Sequence, residues 1–524
     1  MIKVSIITHL GQSVVTNNLG SNNRIPEARV GVVTPAFLIA SRLLPYREPE
    51  MKLLPGSVFY CCDVRHCMLL VVWLTFTVSS SGNLFSAEPR DLGDRRELFV
   101  DQFLIANMAG DIRQEVQQPT PAEVVLVTDK PWEGNTSAYY TLFQDGDRYR
   151  MYYRGSHWNT ELKKAEHREV TCYAESRDGI HWTKPALGLF EFNGSRENNI
   201  VWDGLGTHCF TPFLDANPNC PATEKYKALS FGVRDKKRGL YAFRSADGIH
   251  WELWSNEPVI TKGAFDSQNL AFYDAATGQY RCYHRTFRGV RDIQWQVSQD
   301  FLNWTEPQFL NYTEGPLEHL YTNAILQDPR APHLYLGFPT RYLPDQGERV
   351  EPTFMVSRDG HTFHRWREPI IPESAPQDRG GNRSNYMAWG LLELPGKPAE
   401  YSVYGTEAYY TGPDSRLRRF VYRKDGYVGI VSRTQGELTT HPLQFTGDTL
   451  FVNARVQPKG SLRVELTTPS GAKWESEPIS GDDIDQAVHW KNARNLKSLA
   501  GQAVTLRFQL ENAQLYSLQF RSTP

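Results

Sequence analysis

The stretch Ser176-Arg177-Asp178-Gly179-Ile180-His181-Trp182 occurs a second time, nearly unchanged, as Ser245-Ala246-Asp247-Gly248-Ile249-His250-Trp251. A third copy, Ser298-Gln299-Asp300-Phe301-Leu302-Asn303-Trp304, keeps the Ser, the Asp and the Trp. A fourth, Ser357-Arg358-Asp359-Gly360, has its Trp366 set back by an insertion, and a faint fifth is Arg423-Lys424-Asp425-Gly426. The aspartates stand roughly 50–70 residues apart, within or a little above the range for one propeller blade per repeat. Asp-Gly marks a tight turn, because Gly accepts positive φ and Asp bonds backbone amides beyond it. The Ser caps the same turn, and the Trp folds back to cover it with apolar area. Such a unit closes the outer hairpin of a blade. It specifies architecture and carries no catalytic meaning of its own.

The segments between these turns share one grammar: an apolar strand, a turn, an aromatic-rich strand, then a third strand that runs into Asp-Gly. The first strands fall at Ser137–Phe143, His208–Phe213, Gln268–Tyr273, Tyr321–Leu326 and Met387–Leu392. Period-two alternation shows in Tyr149-Arg150-Met151-Tyr152-Tyr153 and in Leu334-Tyr335-Leu336. The expected fold is all-β: a five-bladed β-propeller within residues 88–425, followed by a small C-terminal β-sandwich over 426–524. Arg95 to Ile105 reads as a strand leading into the propeller.

Residues 1–87 do not read as part of that fold. The apolar run Met68–Val78 follows Arg65 and precedes Ser79-Ser80-Ser81-Gly82, which is the pattern of a secretory signal. The run is too short to span a bilayer stably. The expectation is translation from near Met51, cleavage near Glu88, and a secreted or periplasmic chain with no membrane span in its mature form; a retained anchor is the alternative. A net charge of −2 gives no reason to expect a nucleic-acid partner. No P-loop, dinucleotide fingerprint or zinc-ligand spacing occurs, so no cofactor and no metal site is expected. Of the cysteines beyond the signal, Cys209 and Cys220 are candidates for a disulfide, with four free thiols as the other reading.

Aligning the innermost strands on their apolar ends sets Ser137, Thr207, Asp266, His319 and Asn385 at the opposite end as a polar ring, with Glu133, His208, Glu318 and Arg383 beside it. Convergent polar groups in a cavity are the default site. The blades, the Ser-x-Asp-Gly-x-x-Trp turns and the trailing sandwich resemble the propeller glycosidases of glycoside hydrolase families 32 and 43, and are similar to exported propeller proteins of planctomycete-type bacteria. Those glycosidases present a carboxylate at the start of the inner strand in three successive blades. Phe265-Asp266-Ser267-Gln268 is similar in position to the Arg-Asp-Pro motif of family 32, without its Arg and Pro. Glu318-His319-Leu320-Tyr321 is similar to the Glu-Cys motif, with His for Cys. For the Asn-Asp-Pro-Asn-Gly motif the candidates are Trp132-Glu133-Gly134-Asn135 and Trp202-Asp203-Gly204.

The resemblance implies two-carboxylate glycoside hydrolysis of an oligo- or polysaccharide. Glu318 would be the acid, Asp266 would orient the sugar, and Glu133 would be nucleophile or base. Trp132, His208, Arg288, His319, Arg383, Asn385 and Trp389 would line the sugar subsites. The competing reading is a non-catalytic glycan- or protein-binding propeller of the cell envelope. A phosphorylase-type propeller would need a basic pocket, for which Arg288, Arg291 and Arg383 are the candidates.

Overall fold

The computed structural model describes residues 88–371, 385–493 and 495–522; the expected signal segment lies outside them. Five antiparallel sheets follow one another along the chain. The first holds Ala138–Asp145, Arg148–Gly155, Val170–Ser176 and Ile200–Trp202. The second holds Thr211–Leu214, Tyr226–Arg234, Lys237–Ser245 and Glu252–Leu253. The third holds Leu270–Asp274, Gln279–Arg288, Val290–Ser298 and Gln308–Phe309.

The fourth sheet is split into two ladders, His319–Thr322 with Thr340–Leu343 and Arg349–Pro352, and Leu326–Gln327 with Tyr335–Gly337, Phe354–Ser357 and Thr362–Trp366. The break falls at Pro339, which has no N–H to give the ladder; its carbonyl instead accepts the Thr353 N–H at 2.9 Å. The fifth sheet holds Glu400–Glu407 and Arg416–Arg423, with Met387 and Leu392 bridged along its inner side. Its outer strand is Thr120–Val127, from the other end of the fold. That pairing closes the ring and covers an edge that would otherwise be open.

Each sheet packs on its successor through an apolar cluster, and the fifth packs back on the first: Tyr404 and Leu417 meet Tyr140, Leu142 and Tyr153. The fold is an all-β propeller. A polar clip repeats at the sheet junctions. Asp145 accepts the Arg150 Nε–H of its own sheet at 2.7 Å and the Tyr226 hydroxyl of the next at 2.6 Å. Asp215 does the same with Lys227 at 2.5 Å and Tyr280 at 2.7 Å, and Asp274 with Arg281 at 2.6 Å and Tyr335 at 2.5 Å. In the fourth sheet the cation is replaced by Leu336. Asp328 is left fully buried with Oδ2 unbonded, and the matching Tyr401 hydroxyl is unbonded too.

The turns behave as their chemistry dictates. Ser176, Ser245, Ser298 and Ser357 each accept the N–H three residues on at 2.9 Å. Trp182, Trp251 and Trp304 each donate the indole N–H back to the turn carbonyl. Trp366 does not; it reaches the Val100 carbonyl at 3.0 Å. The fifth copy is not an outer turn. Asp425 is buried and binds the Ser517 hydroxyl at 2.8 Å and Arg330 at 3.2 Å, tying the propeller to the C-terminal strands.

The C-terminal β-sandwich is built on Val428–Thr440, Thr449–Thr467 and Thr505–Arg521, whose register shifts accommodate bulges. Residues 90–116 belong with it rather than with the propeller. Arg90–Gly93 pairs with Leu443–Phe445, Glu97–Leu98 with Thr505–Arg521, and both Ile105–Gly110 and Arg113–Val116 with Val428–Thr440. The expected leading strand at Arg95 to Ile105 is thus sandwich edge, because Leu98, Phe99 and Leu104 find apolar partners away from the first blade. No helix among the described residues is long and apolar enough to cross a membrane.

Candidate active site

The two ends of the ring differ in chemistry. Where the inner strands end, a cavity of about 520 Å³ is walled by Leu142, Phe143, Phe213, Phe272, Leu326, Trp389 and Leu392 among others. Where they begin, a cavity of about 210 Å³ is lined by Tyr139, Tyr321, Tyr342, Tyr386, Tyr409 and Tyr410, with Ala138, Glu348 and Val350. We call the second one the mouth.

Tyr139 enters the mouth because its strand slips register between Ala138 and Thr141, and its φ is +57°. Ala408 (φ +58°) and Tyr410 (φ +61°) are held in the same left-handed region. Non-glycine residues there cost on the order of 1–3 kcal/mol each and gather at functional sites. Aromatic edges fasten the wall: ring centroids lie 5.5 Å apart for Tyr321 and Tyr386, 5.4 Å for Tyr386 and Tyr409, and 4.7 Å for Tyr409 and Tyr410. Burial raises the hydroxyls of Tyr139, Tyr386 and Tyr409 above the ordinary phenol, so they act as neutral O–H groups.

Behind the tyrosines stand charged groups. Arg154 is buried, donates to the Thr136 carbonyl at 2.8 Å and the Tyr409 hydroxyl at 2.9 Å, and lies 4.8 Å from the Tyr139 ring centroid. It ion-pairs with Glu169 at 3.5 Å, and Glu169 also accepts His208 Nδ1–H at 2.9 Å. Burial works to raise Glu169, but His208 and Arg154 hold it below the ordinary carboxylate range. Across Tyr139 lies Asp266. Its carbonyl accepts the Tyr139 hydroxyl at 3.4 Å, its carboxylate pairs with Arg285, and its side chain is 60% exposed. Tyr139 therefore touches both the Asp266 main chain and, at 5.6 Å between ring centroids, His208 of the Glu169–His208 pair.

The other expected carboxylates stand elsewhere. Glu133 is buried, with Oε2 paired to Lys184 at 2.6 Å and Oε1 accepting the Tyr153 hydroxyl at 2.5 Å. It lines a separate cavity with His157 and His167. Glu318 is clasped by Arg341 at 3.1 Å, Arg367 at 3.2 Å and Arg365 at 3.6 Å. Trp132 is half-buried, with its indole N–H on Asn199 at 2.7 Å and its ring edge-on to Phe192 against the apolar cluster of the first sheet. Trp389 is buried in the opposite, apolar cavity, its indole N–H on the Ile325 carbonyl. Arg288 pairs with Asp292 at 2.7 Å. Asn385 is buried and donates to the Thr406 carbonyl. His208 and His319 each pack against a tyrosine of the mouth, His208 on Tyr139 at 5.6 Å and His319 on Tyr342 at 5.8 Å between ring centroids. Arg383 lies outside the described residues. Cys172, Cys209, Cys220 and Cys282 are free thiols, so Cys209 and Cys220 do not pair.

The tyrosines, Arg154, Arg285 and Glu169 are the groups that strand alignment misses. One signal was available. Arg154 and Arg285 each close a Tyr-Arg-x-Tyr-x-Arg pattern, Tyr149 to Arg154 and Tyr280 to Arg285, so they hold equivalent places in two blades.

No family model matches the chain. Two uncharacterised Mycobacterium tuberculosis proteins, from strains H37Rv and CDC 1551, are 27% identical to it over 139 residues, which is 26% of this chain and 40% of each of theirs. The chain thus matches less than half the length of these curated relatives. Among solved structures it is similar to a β-1,2-mannobiose phosphorylase from Listeria innocua, with a TM-score of 0.43 at 12% identity over 61% of this chain and 98% of that one. It is similar to a thermostable family-43 glycoside hydrolase, with a TM-score of 0.39 at 12% identity over 61% and 97%. It is also similar to the family-32 β-fructofuranosidase of Bombyx mori, with a TM-score of 0.39 at 8% identity over 78% and 95%.

Proposed function

We propose that this chain is an exported carbohydrate-active protein, that its five sheets are the blades of a propeller, and that a glycan enters the tyrosine-walled mouth and is hydrolysed there. The observation that carries the reading is a donor-rich aromatic wall in which Tyr139 donates to the main-chain carbonyl of Asp266 and packs on His208, the partner of Glu169. Tyrosine faces suit the apolar faces of sugar rings, and their hydroxyls suit sugar hydroxyls.

In this mechanism Asp266, exposed and oriented by Arg285, meets the sugar carbon as nucleophile or stabilises the charge that develops there. Glu169, held ionised, keeps His208 positioned as the proton-handling group at the leaving oxygen or the attacking water. Glu133 and Glu318 hold the walls, because their oxygens are already committed to Lys184, Tyr153 and three arginines. A second reading, glycan binding without turnover, draws on that same commitment.

The deciding experiment screens the purified protein, Asp266→Asn and Glu169→Gln against arrayed oligosaccharides, scoring binding and released reducing ends separately. Hydrolysis by the wild type that vanishes in both variants while binding persists is the expected result. Binding without turnover in the wild type would leave the non-catalytic reading, and no glycan binding at all would remove both.

A further inference from the structure

We propose that the mouth receives an anionic group, carried on the sugar or supplied as free phosphate, and that Arg291 is the residue that receives it; the proposal rests on the glycan reading of this mouth. The argument begins with the fate of four arginines. Arg154 is paired with Glu169, Arg285 with Asp266, and Arg288 with Asp292. Arg291, on the same strand as Asp292, pairs with no carboxylate among the described residues. Its guanidinium lies 4.7 Å from the ring centroid of Tyr342 and 5.3 Å from that of Tyr321, both walls of the mouth. Its Nε is buried with no hydrogen-bond partner. Its Nη1 makes only a long approach to His319 Nδ1, at 3.5 Å, so aromatic faces hold the cation while most of its hydrogen-bonding capacity is left over.

The neighbouring groups add donors. The Arg291 main-chain N–H donates to His319 Nδ1 at 3.1 Å, which leaves the proton of the neutral ring on Nε2. Burial first, and the Arg291 charge second, hold His319 below the ordinary imidazole value, so the ring stays neutral and presents an N–H. The Tyr321 hydroxyl adds a donor to the patch, while that of Tyr342 is hydrogen-bonded to Glu348. Asp345 opposes it beside His319, and so does Glu348. Glu348 lines the mouth and is exposed, so solvent screens its charge more than that of the half-buried Arg291. Charge-assisted hydrogen bonds from a guanidinium to a carboxylate, sulfate or phosphate are the strong ones, and Arg presents a fork that matches them.

The test is a glycan array in which each uronate-bearing or sulfated oligosaccharide is paired with its carboxyl-reduced or desulfated counterpart, together with calorimetric titration by inorganic phosphate. Wild-type protein is expected to bind at least one acidic member about tenfold tighter than its neutral partner. That preference should shrink with added salt, disappear in Arg291→Gln, and survive in part in Arg291→Lys. Glu348→Gln should tighten the acidic member by about twofold to threefold. Phosphate binding that depends on Arg291, with no preference among the sugars, would support the proposal and name the free ion as the source. Equal binding of acidic and neutral partners with no phosphate binding would overturn the proposal and leave the glycan reading standing. Failure of every glycan to bind would instead remove the glycan reading. The wild-type comparison decides even if an Arg291 variant does not fold.

Discussion

Tyr152 of the first blade donates its hydroxyl to the Gly248 carbonyl of the second at 2.7 Å, and a Cβ built on Gly248 would stand 2.7 Å from that same oxygen. The pair recurs as Tyr404 with Gly179 and Tyr283 with Gly360. Where the tyrosine position holds Leu229, the next turn holds Phe301 instead of Gly, and its ring fills the space against Trp254 and Tyr280. The glycine of the repeat therefore answers two demands, a positive φ (+77° at Gly248) and room for a neighbour's phenol.

This predicts coupling between the two positions. Gly248→Ala should cost about 1–3 kcal/mol through strain and the clash. Tyr152→Phe should cost about 1 kcal/mol through the lost hydrogen bond. The double variant should cost clearly less than the sum, because removing the hydroxyl relieves part of the clash. Urea unfolding of the four proteins measures the cycle, and strict additivity would refute the shared contact.

Asp328 should make stability depend on pH with an unusual sign. Burial first, and then the charge of Asp425, push its carboxyl up to about 6. An ordinary Asp titrates near pH 4 and has lost most of its proton by about pH 5. The folded chain therefore holds a proton that the unfolded chain has released. The contribution is fully present below about pH 4 and is lost as pH rises through about 6, at up to about 1.4 kcal/mol per pH unit. Asp328→Asn should flatten that slope. An unchanged slope in the variant would show that another group carries it.

The repeat is legible in the sequence because each turn's bonds run among residues only a few positions apart, as from Ser176 to Gly179 and from Trp182 to Gly179. The mouth is much less so. Asp266 and His319 can be set near the start of their strands by counting along the chain. Tyr139 cannot, because its place depends on a register slip between Ala138 and Thr141 and on packing against Arg154, neither of which a local pattern records. Glu169 meets His208 across 39 residues, a pairing that no local pattern records. The surroundings of Glu133 are illegible for a related reason. The residue arrives just before an inner strand, but Lys184, distant in sequence, claims it first.

Glu133 and Asp266 should separate stability from activity. Removing one partner of a buried ion pair costs about 3–5 kcal/mol, so Glu133→Ala should lower the melting temperature sharply. Asp266 is mostly exposed, and Asn keeps an oxygen that can accept from the buried Arg285, so Asp266→Asn should lower melting much less than Glu133→Ala while abolishing turnover. A Glu133→Ala protein with wild-type melting and no turnover would return Glu133 to the catalytic set.

Tyr410 offers a test of the mouth that packing alone cannot imitate. Its side chain is 49% exposed, its ring stands edge-on to Tyr409 at 4.7 Å, and its backbone sits at φ +61°. Replacing it with Asn removes the ring contact, worth about 0.5–1.5 kcal/mol. Asn also tolerates the left-handed conformation better than Tyr does, which returns energy of similar size. The two effects oppose, so Tyr410→Asn should change unfolding free energy by less than about 1 kcal/mol. If the residue is kept strained in order to hold an aromatic face at the rim, glycan affinity should nevertheless fall about tenfold, the size expected for losing one stacking surface. Calorimetry with the best array ligand and urea unfolding give the two numbers independently. Unchanged affinity would mean that the strain at Tyr410 serves the fold of its loop, and that the glycan's platform must be sought deeper, at Tyr321 and Tyr386.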